Sequence, residues 1–334
     1  SQSGMETPLF VLLISVALLF MLKRGYIRAS VVGSLATLTR PDGIFVLILL
    51  GIVILIRERR FPVKEIGVSL FLGLPWMVTA FILYGSFIPH SVTAKAAVQP
   101  IWGSSFIGKL NIMFYEPFRL FSPFYIVSLI LGVWALIRLS GNVSSKIVLG
   151  LLALLVIYLL LPVNAGFDWD FAPLFFLFHL IIGVGISALR PVKIAALMSG
   201  GLLLGILYSS IGNYVSVKTI DQIWRDGMFQ VVERINSDAA PTSVVQCTNI
   251  GILGYYTDFK VLDPLGLVSP EVLPLMNEAS DLDDLNRQVA SAFKPDYVIS
   301  FGEEEYEGYV QEAMYATSVM PLVIYSSGNP DRSG

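Results

Sequence analysis

Charge is scarce in this 334-residue chain: Lys, Arg, Asp and Glu make up 14% of it. An average soluble domain carries about 25%. Cysteine is all but absent. The lone Cys247 excludes an intrachain disulfide and argues against a disulfide-stapled module. No signal-peptide pattern precedes the first apolar run, and the chain opens on Ser1 rather than Met; a missing N-terminal part is expected. Internal repeats and low-complexity tracts are also lacking. So is a phosphate fingerprint: Gly251, Gly254 and Gly266 do not follow a strand at the required spacing. No nucleic-acid partner and no resident metal are expected.

What the chain has in excess is apolar sequence, 55% of all residues. Runs occur at 7–22, 27–39, 42–56, 65–85, 121–138, 146–162, 173–189 and 192–212. Several fall short of the roughly 20 residues an upright span needs. The run 27–39, rich in Ala, Ser and Gly, either crosses or re-enters, packed closely against neighbours. Charge is divided unevenly. Residues 1–212 hold 15 Lys/Arg and 7 Asp/Glu, and residues 213–334 hold 7 and 18. The expectation is an integral membrane bundle of about eight helices over 1–212, followed by a soluble α/β domain over 213–334.

Cations set the orientation, because cytoplasmic loops collect Lys and Arg. Lys23/Arg24/Arg28, Arg57/Arg59/Arg60/Lys64, Arg138/Lys146 and Arg190/Lys193 follow every second run. Arg40, Lys95, Lys109 and Arg119 fall in the opposite loops, with Glu6, Asp42, Glu116, Asp168 and Asp170. Both the N-terminus and the tail are then extracytoplasmic, in a bacterial inner membrane. In the tail, Lys218–Asn236 and Asp281–Phe293 read as helices. Ser243–Cys247, Lys260–Leu262, Tyr297–Phe301 and Leu322–Tyr325 read as strands.

Four outer segments could carry chemistry. In Thr39-Arg40-Pro41-Asp42-Gly43, Pro41 suits the first turn of a helix and Asp42 its dipole. The segment is either a helix start with an Arg–Asp pair or an anion site, since a guanidinium at a helix N-terminus is a good phosphate ligand. Glu6, in Ser3-Gly4-Met5-Glu6-Thr7-Pro8, is a helix-start acid or a site carboxylate. His90 and Lys95 follow Tyr84-Gly85-Ser86-Phe87-Ile88-Pro89. Lys95 could neutralise a phosphate or stand as a solvated loop cation. Asp168-Trp169-Asp170 either anchors an interfacial loop or offers carboxylates to a base or divalent-cation role. Glu303-Glu304-Glu305 reads as a solvated acidic run.

In this order the segments resemble the multi-spanning C-type (GT-C) glycosyltransferases, closest to their arabinofuranosyl- and mannosyl-transferase-like members. Gly251-Ile252-Leu253-Gly254-Tyr255-Tyr256, with Val261-Leu262-Asp263-Pro264-Leu265-Gly266-Leu267, is similar to that family's C-terminal extracytoplasmic domain. The resemblance implies transfer of a sugar from a polyprenyl-phosphate donor to an extracytoplasmic glycan, lipid or protein (EC 2.4 class). The donor phosphate and sugar would be held by residues drawn from Arg40, Lys95, His90, Glu6, Asp42, Asp168 and Asp170. The family's catalytic carboxylate lies in a loop that would precede Ser1, so this stretch alone is expected to be inactive. Two departures stand out: His90 where the family tends to have Asn, and Asp170-Phe171-Ala172-Pro173 where it tends to have Arg. Two other functions fit the composition: a transporter, disfavoured because ionisable groups avoid the middle of the runs, and a membrane-anchored scaffold acting through its acidic tail.

Overall fold

Apolar runs broken by Gly, Pro and charged clusters fold as helices. The computed structural model describes residues 6–87, 93–94, 96–97, 105–115, 122–138, 143–160, 171–187, 192–223, 227–315 and 321–327. They divide into two compact units. The first holds α1 (Thr7–Leu22), α2 (Tyr26–Thr39), α3 (Ile44–Glu58), α4 (Val63–Tyr84), α5 (Phe106–Phe114), α6 (Ser122–Arg138), α7 (Val143–Leu160) and α8 (Ala172–Ser187). It also holds most of α9 (Val192–Ile223).

Local chemistry places the breaks. α2 ends at Arg40, whose extended backbone (φ −147°, ψ 137°) is the conformation a residue before proline is pushed into. Pro41–Gly43 then forms a single 3₁₀ turn into α3. α3 stops at Arg59, in the left-handed region at φ 49°. α4 stops at Gly85, also left-handed, as a C-terminal glycine permits.

α2 packs against α1, α3 and α4, and α6 lies along α8. The α6–α8 crossing is tight because both helices present glycine. A Cβ on Gly185 would come within 2.5 Å of Gly132 Cα, and one on Gly132 would strike the Ile181 carbonyl. Phe10, Ile14, Met21, Leu50, Ile54, Leu151 and Leu174 fill the core of this unit.

The eight-span bundle expected from the apolar runs is not what the structure gives. Among the described residues only one helix, Val63–Leu83, is long and apolar enough to cross a membrane. The runs do form helices, but the breaks fall too soon. α1, α2 and α3 have 16, 14 and 15 residues. At about 1.5 Å per residue that is roughly 21–24 Å, against a hydrocarbon core of about 30 Å. A second departure is α5, inside what the sequence presents as one long outer loop. Ser105 caps it, accepting from Gly108 N at 3.0 Å.

The second unit contains a five-stranded mixed sheet. Its strands are β1 (Val244–Cys247), β2 (Lys260–Leu262), β3 (Tyr297–Phe301), β4 (Tyr309–Tyr315) and β5 (Leu322–Ser327), in the order β2-β1-β3-β5-β4. The first three are parallel, with Val245 opposite Val261 on one side and Tyr297 on the other. β5 runs antiparallel to β3, and β4 antiparallel to β5. The helices of this unit are α10 (Phe229–Asp238), α11 (Ile250–Tyr256) and α12 (Leu282–Phe293). Val231, Val232 and Ile235 of α10 and Leu253 of α11 pack with Val245, Cys247, Ile299 and Ile324. Ala290 of α12 packs with Val298, Val323, Tyr306 and Tyr325. α12 is capped by Asp281, which accepts from Asp284 N at 2.8 Å. Where one tail helix over 218–236 is expected, α9 runs on to Ile223 and α10 begins at Phe229.

Candidate functional site

Three of the candidate residues come together at one end of the α1–α3 group. Glu6 precedes α1, Arg40 ends α2 and Asp42 lies in the turn into α3. Arg40 Nε donates to Asp42 Oδ1 at 3.1 Å, and Arg40 Nη1 donates to Glu6 Oε1 at 3.4 Å. The guanidinium lies 5.3 Å from the centroid of the Phe10 ring, which is fully buried. Side-chain exposure separates the two arms. Arg40 is 7% and Asp42 3% exposed, whereas Glu6 is 45% exposed. The Asp42 contact is therefore a buried ion pair, and the Glu6 contact is a long, wet one. Gly43 lets the turn close: a Cβ there would come within 2.5 Å of the Ala36 carbonyl carbon. The helix-start pair is present as an Arg40–Asp42 contact that aligns the guanidinium, with Glu6 as its exposed second partner.

Lys95, His90, Asp168 and Asp170 lie outside the described residues. Lys109, expected in an outer loop, sits in α5 at 2% exposure. Among the described residues, no group of three or more His, Cys, Asp or Glu side chains could hold a metal ion.

The opposite end of the same helices gathers the cations. Tyr26 Oη donates to Glu58 Oε1 at 2.7 Å, and Arg24 lies 4.0 Å from the same carboxylate. Arg60 forks onto Glu65 with bonds of 3.0 and 2.6 Å. Ser30 Oγ donates to the Glu65 carbonyl at 2.7 Å, tying α2 to α4. The Arg24/Arg28 and Arg57/Arg59/Arg60 clusters thus share one end, with Glu6, Arg40 and Asp42 at the other.

In the second unit, sequence reasoning passed over two acids. Asp263 follows β2 and is fully buried. Its carboxylate accepts from the backbone N–H of Leu265 (2.9 Å), Leu267 (2.7 Å) and Val268 (3.3 Å), while its own N–H donates to Ser269 Oγ at 3.0 Å. Burial raises the carboxyl above its ordinary range, and the three N–H donors oppose that shift. Gly266, at φ +68°, lets the loop curl around the acid. The Asp263-Pro264-Leu265-Gly266-Leu267 segment is thereby a loop built on a buried carboxylate. Glu304, read as part of a solvated run, is half-buried and accepts from Ser300 Oγ and Tyr306 Oη, each at 2.8 Å. The signal that could have singled it out is Ser300 four residues before it and Tyr306 two after.

Residues 218–327, which include the whole sheet, match a family described as Domain of unknown function (DUF8728). No curated protein and no solved structure matches the chain.

Proposed function

We propose that this protein transfers a sugar from a polyprenyl-phosphate donor to an acceptor at the extracytoplasmic face of a bacterial inner membrane, and that Arg40 binds the donor phosphate. The observation that carries the reading is the buried Arg40 guanidinium, aligned by Asp42 and joined to the half-exposed Glu6 by a contact of 3.4 Å. A phosphate offers a guanidinium shorter, charge-assisted bonds than that. It can displace the Glu6 arm while Asp42 keeps the side chain in place.

In the reaction, the acceptor hydroxyl oxygen bonds to the anomeric carbon as the bond from that carbon to the phosphate oxygen breaks. The electron pair leaves with the polyprenyl phosphate and the hydroxyl proton passes to a base. Negative charge grows on the leaving phosphate, and a fixed guanidinium in a water-poor setting stabilises it. Glu6, once displaced, is an acceptor for sugar hydroxyls.

Two further features support a lipid substrate. The apolar window of α4 is only 6% buried, and large side chains such as Ile56, Phe71, Ile82, Leu197 and Leu203 are exposed on the first unit. Apolar surface on that scale is characteristic of membrane contact. The cation clusters at the other end of these helices suit the cytoplasmic side.

Membranes containing the full-length protein, incubated with radiolabelled polyprenyl-phosphate sugars, test the reading. Transfer of label to a lipid, glycan or protein fraction is expected, with loss in Arg40→Met. Absence of transfer and of saturable donor binding with every donor tried would overturn it.

A further inference from the structure

An open cleft of about 780 Å³ lies in the second unit, lined by α12, the segment that follows β3, and strands β4 and β5. Its volume is in the range of small-ligand sites, about 300–1,000 Å³.

Three tyrosines, Tyr306, Tyr309 and Tyr325, line the cleft. Their rings meet edge to face: Tyr306 and Tyr325 have centroids 5.1 Å apart, and Tyr306 and Tyr309 6.3 Å. Every hydroxyl is anchored. Tyr306 Oη donates to Glu304, Tyr309 Oη donates to the Pro295 carbonyl at 2.7 Å, and Tyr325 Oη accepts from Glu304 N at 2.9 Å. The aromatic wall and the Glu304 carboxylate are fixed before any ligand arrives, which reduces the ordering cost of binding.

The polar lining selects the ligand class. Glu304, Glu305 and Glu307 supply acceptors, and Arg287, Gln288 and Gln311 supply donors. Three carboxylates repel an anion. Arg287 opposes a simple cation and leaves it no use for the guanidinium. A neutral polyol uses both sets, because each hydroxyl donates to a carboxylate and accepts from a guanidinium or amide. A sugar ring also has an apolar C–H face for the tyrosines.

We infer that this cleft is a binding site for a neutral saccharide. The inference goes beyond the transfer reaction and does not depend on it, because binding here needs neither the donor nor Arg40.

The full chain, held in a detergent without a sugar headgroup, is titrated with neutral gluco-, manno-, galacto- and arabino-oligosaccharides of two to four units. Saturation-transfer NMR and calorimetry read the binding. At least one series is expected to saturate. Glu305→Ala and Gln311→Ala, both at exposed positions, should each weaken it about fivefold, the size of one lost hydrogen bond. Glu233→Gln, at an exposed position of α10 outside the cleft, should bind within about twofold of the parent. No saturation with any oligosaccharide overturns the inference. So does saturation by spermidine where the saccharides fail, which would make the cleft a cation site. Arg40→Met should leave saccharide binding unchanged, so a failed transfer reaction and a failed saccharide site give different results.

Discussion

Replacing Arg40 by Met removes the guanidinium from a place that contains two carboxylates and a buried ring. Asp42, 3% exposed, is left without that partner. Breaking a buried pair in this way costs about 3–5 kcal/mol. The Phe10 contact adds roughly 0.5–2 kcal/mol, and the wet Glu6 arm about 0–1 kcal/mol. Asp42→Leu takes from the buried guanidinium its buried carboxylate and leaves it the wet Glu6 contact, and should cost a similar amount. Arg40→Met/Asp42→Leu replaces both charges with apolar groups. It should recover most of the loss, because exchanging a whole buried pair for packed hydrophobic residues is often neutral or stabilising. Chemical denaturation of the purified full chain, followed by helical circular dichroism, reads all four proteins. Single variants within about 1 kcal/mol of the parent, or a double variant as damaged as the two singles together, would refute the buried-pair reasoning. Transfer activity separates structure from chemistry. A double variant that folds well but transfers nothing supports Arg40 as a phosphate ligand. A double variant with full activity leaves Arg40 as a helix-start pair.

Three other expectations follow from the packing and burial. Gly132→Val should destabilise the first unit by about 1–3 kcal/mol, since the added carbons collide with Ile181; Gly183→Ala, on α8 with nothing within 4 Å of its Cβ position, should be neutral or mildly stabilising in the same thermal melt. Burial raises the Asp263 carboxyl above its ordinary 3.8, so across the window from 3.8 up to its folded value the folded state keeps a proton that the unfolded state has lost. Its contribution to stability therefore falls as pH rises through that window. The stability difference between the parent and Asp263→Asn should slope there, and parallel pH curves would contradict it. Cys247 is buried and its thiol is pushed up to about 12, chiefly by burial and in smaller part by Asp263, against a backbone hydrogen bond at Asn249. A maleimide should fail to label it in the folded protein and label it fully once the sheet unfolds; rapid labelling of the native chain would contradict the buried position.

The legible parts of the fold were those decided locally. Pro41 dictates the extended Arg40 and the break after α2, and the β-rich apolar runs Tyr297–Phe301 and Leu322–Tyr325 mark strands. The Arg40–Asp42 pair was also legible, because its partners are two residues apart. The approach of Glu6, 34 residues away, was not, since it depends on how α1 packs against α2. β4 was missed for a different reason. Tyr309–Tyr315 is an edge strand with Gln311, Glu312 and a register shift, so it lacks the continuous apolar run of the buried strands. Asp263 was passed over because a carboxylate is ordinarily exposed, and only the folded loop supplies the three N–H groups that hold it inside. The first three expected spans failed on length rather than on hydropathy: Gly25, Arg40-Pro41 and Arg59 close those helices before a crossing is complete.

The most direct test of the central claim is photocrosslinking. Membranes with the full-length protein would be irradiated with a polyprenyl-phosphate sugar carrying a photoreactive group near the phosphate, and the adducts mapped by mass spectrometry. The account predicts adducts on the start of α1 and on the Arg40–Gly43 turn, competed away by unlabelled donor and lost in Arg40→Met/Asp42→Leu. Adducts confined to other segments, or labelling that donor does not compete, would contradict it.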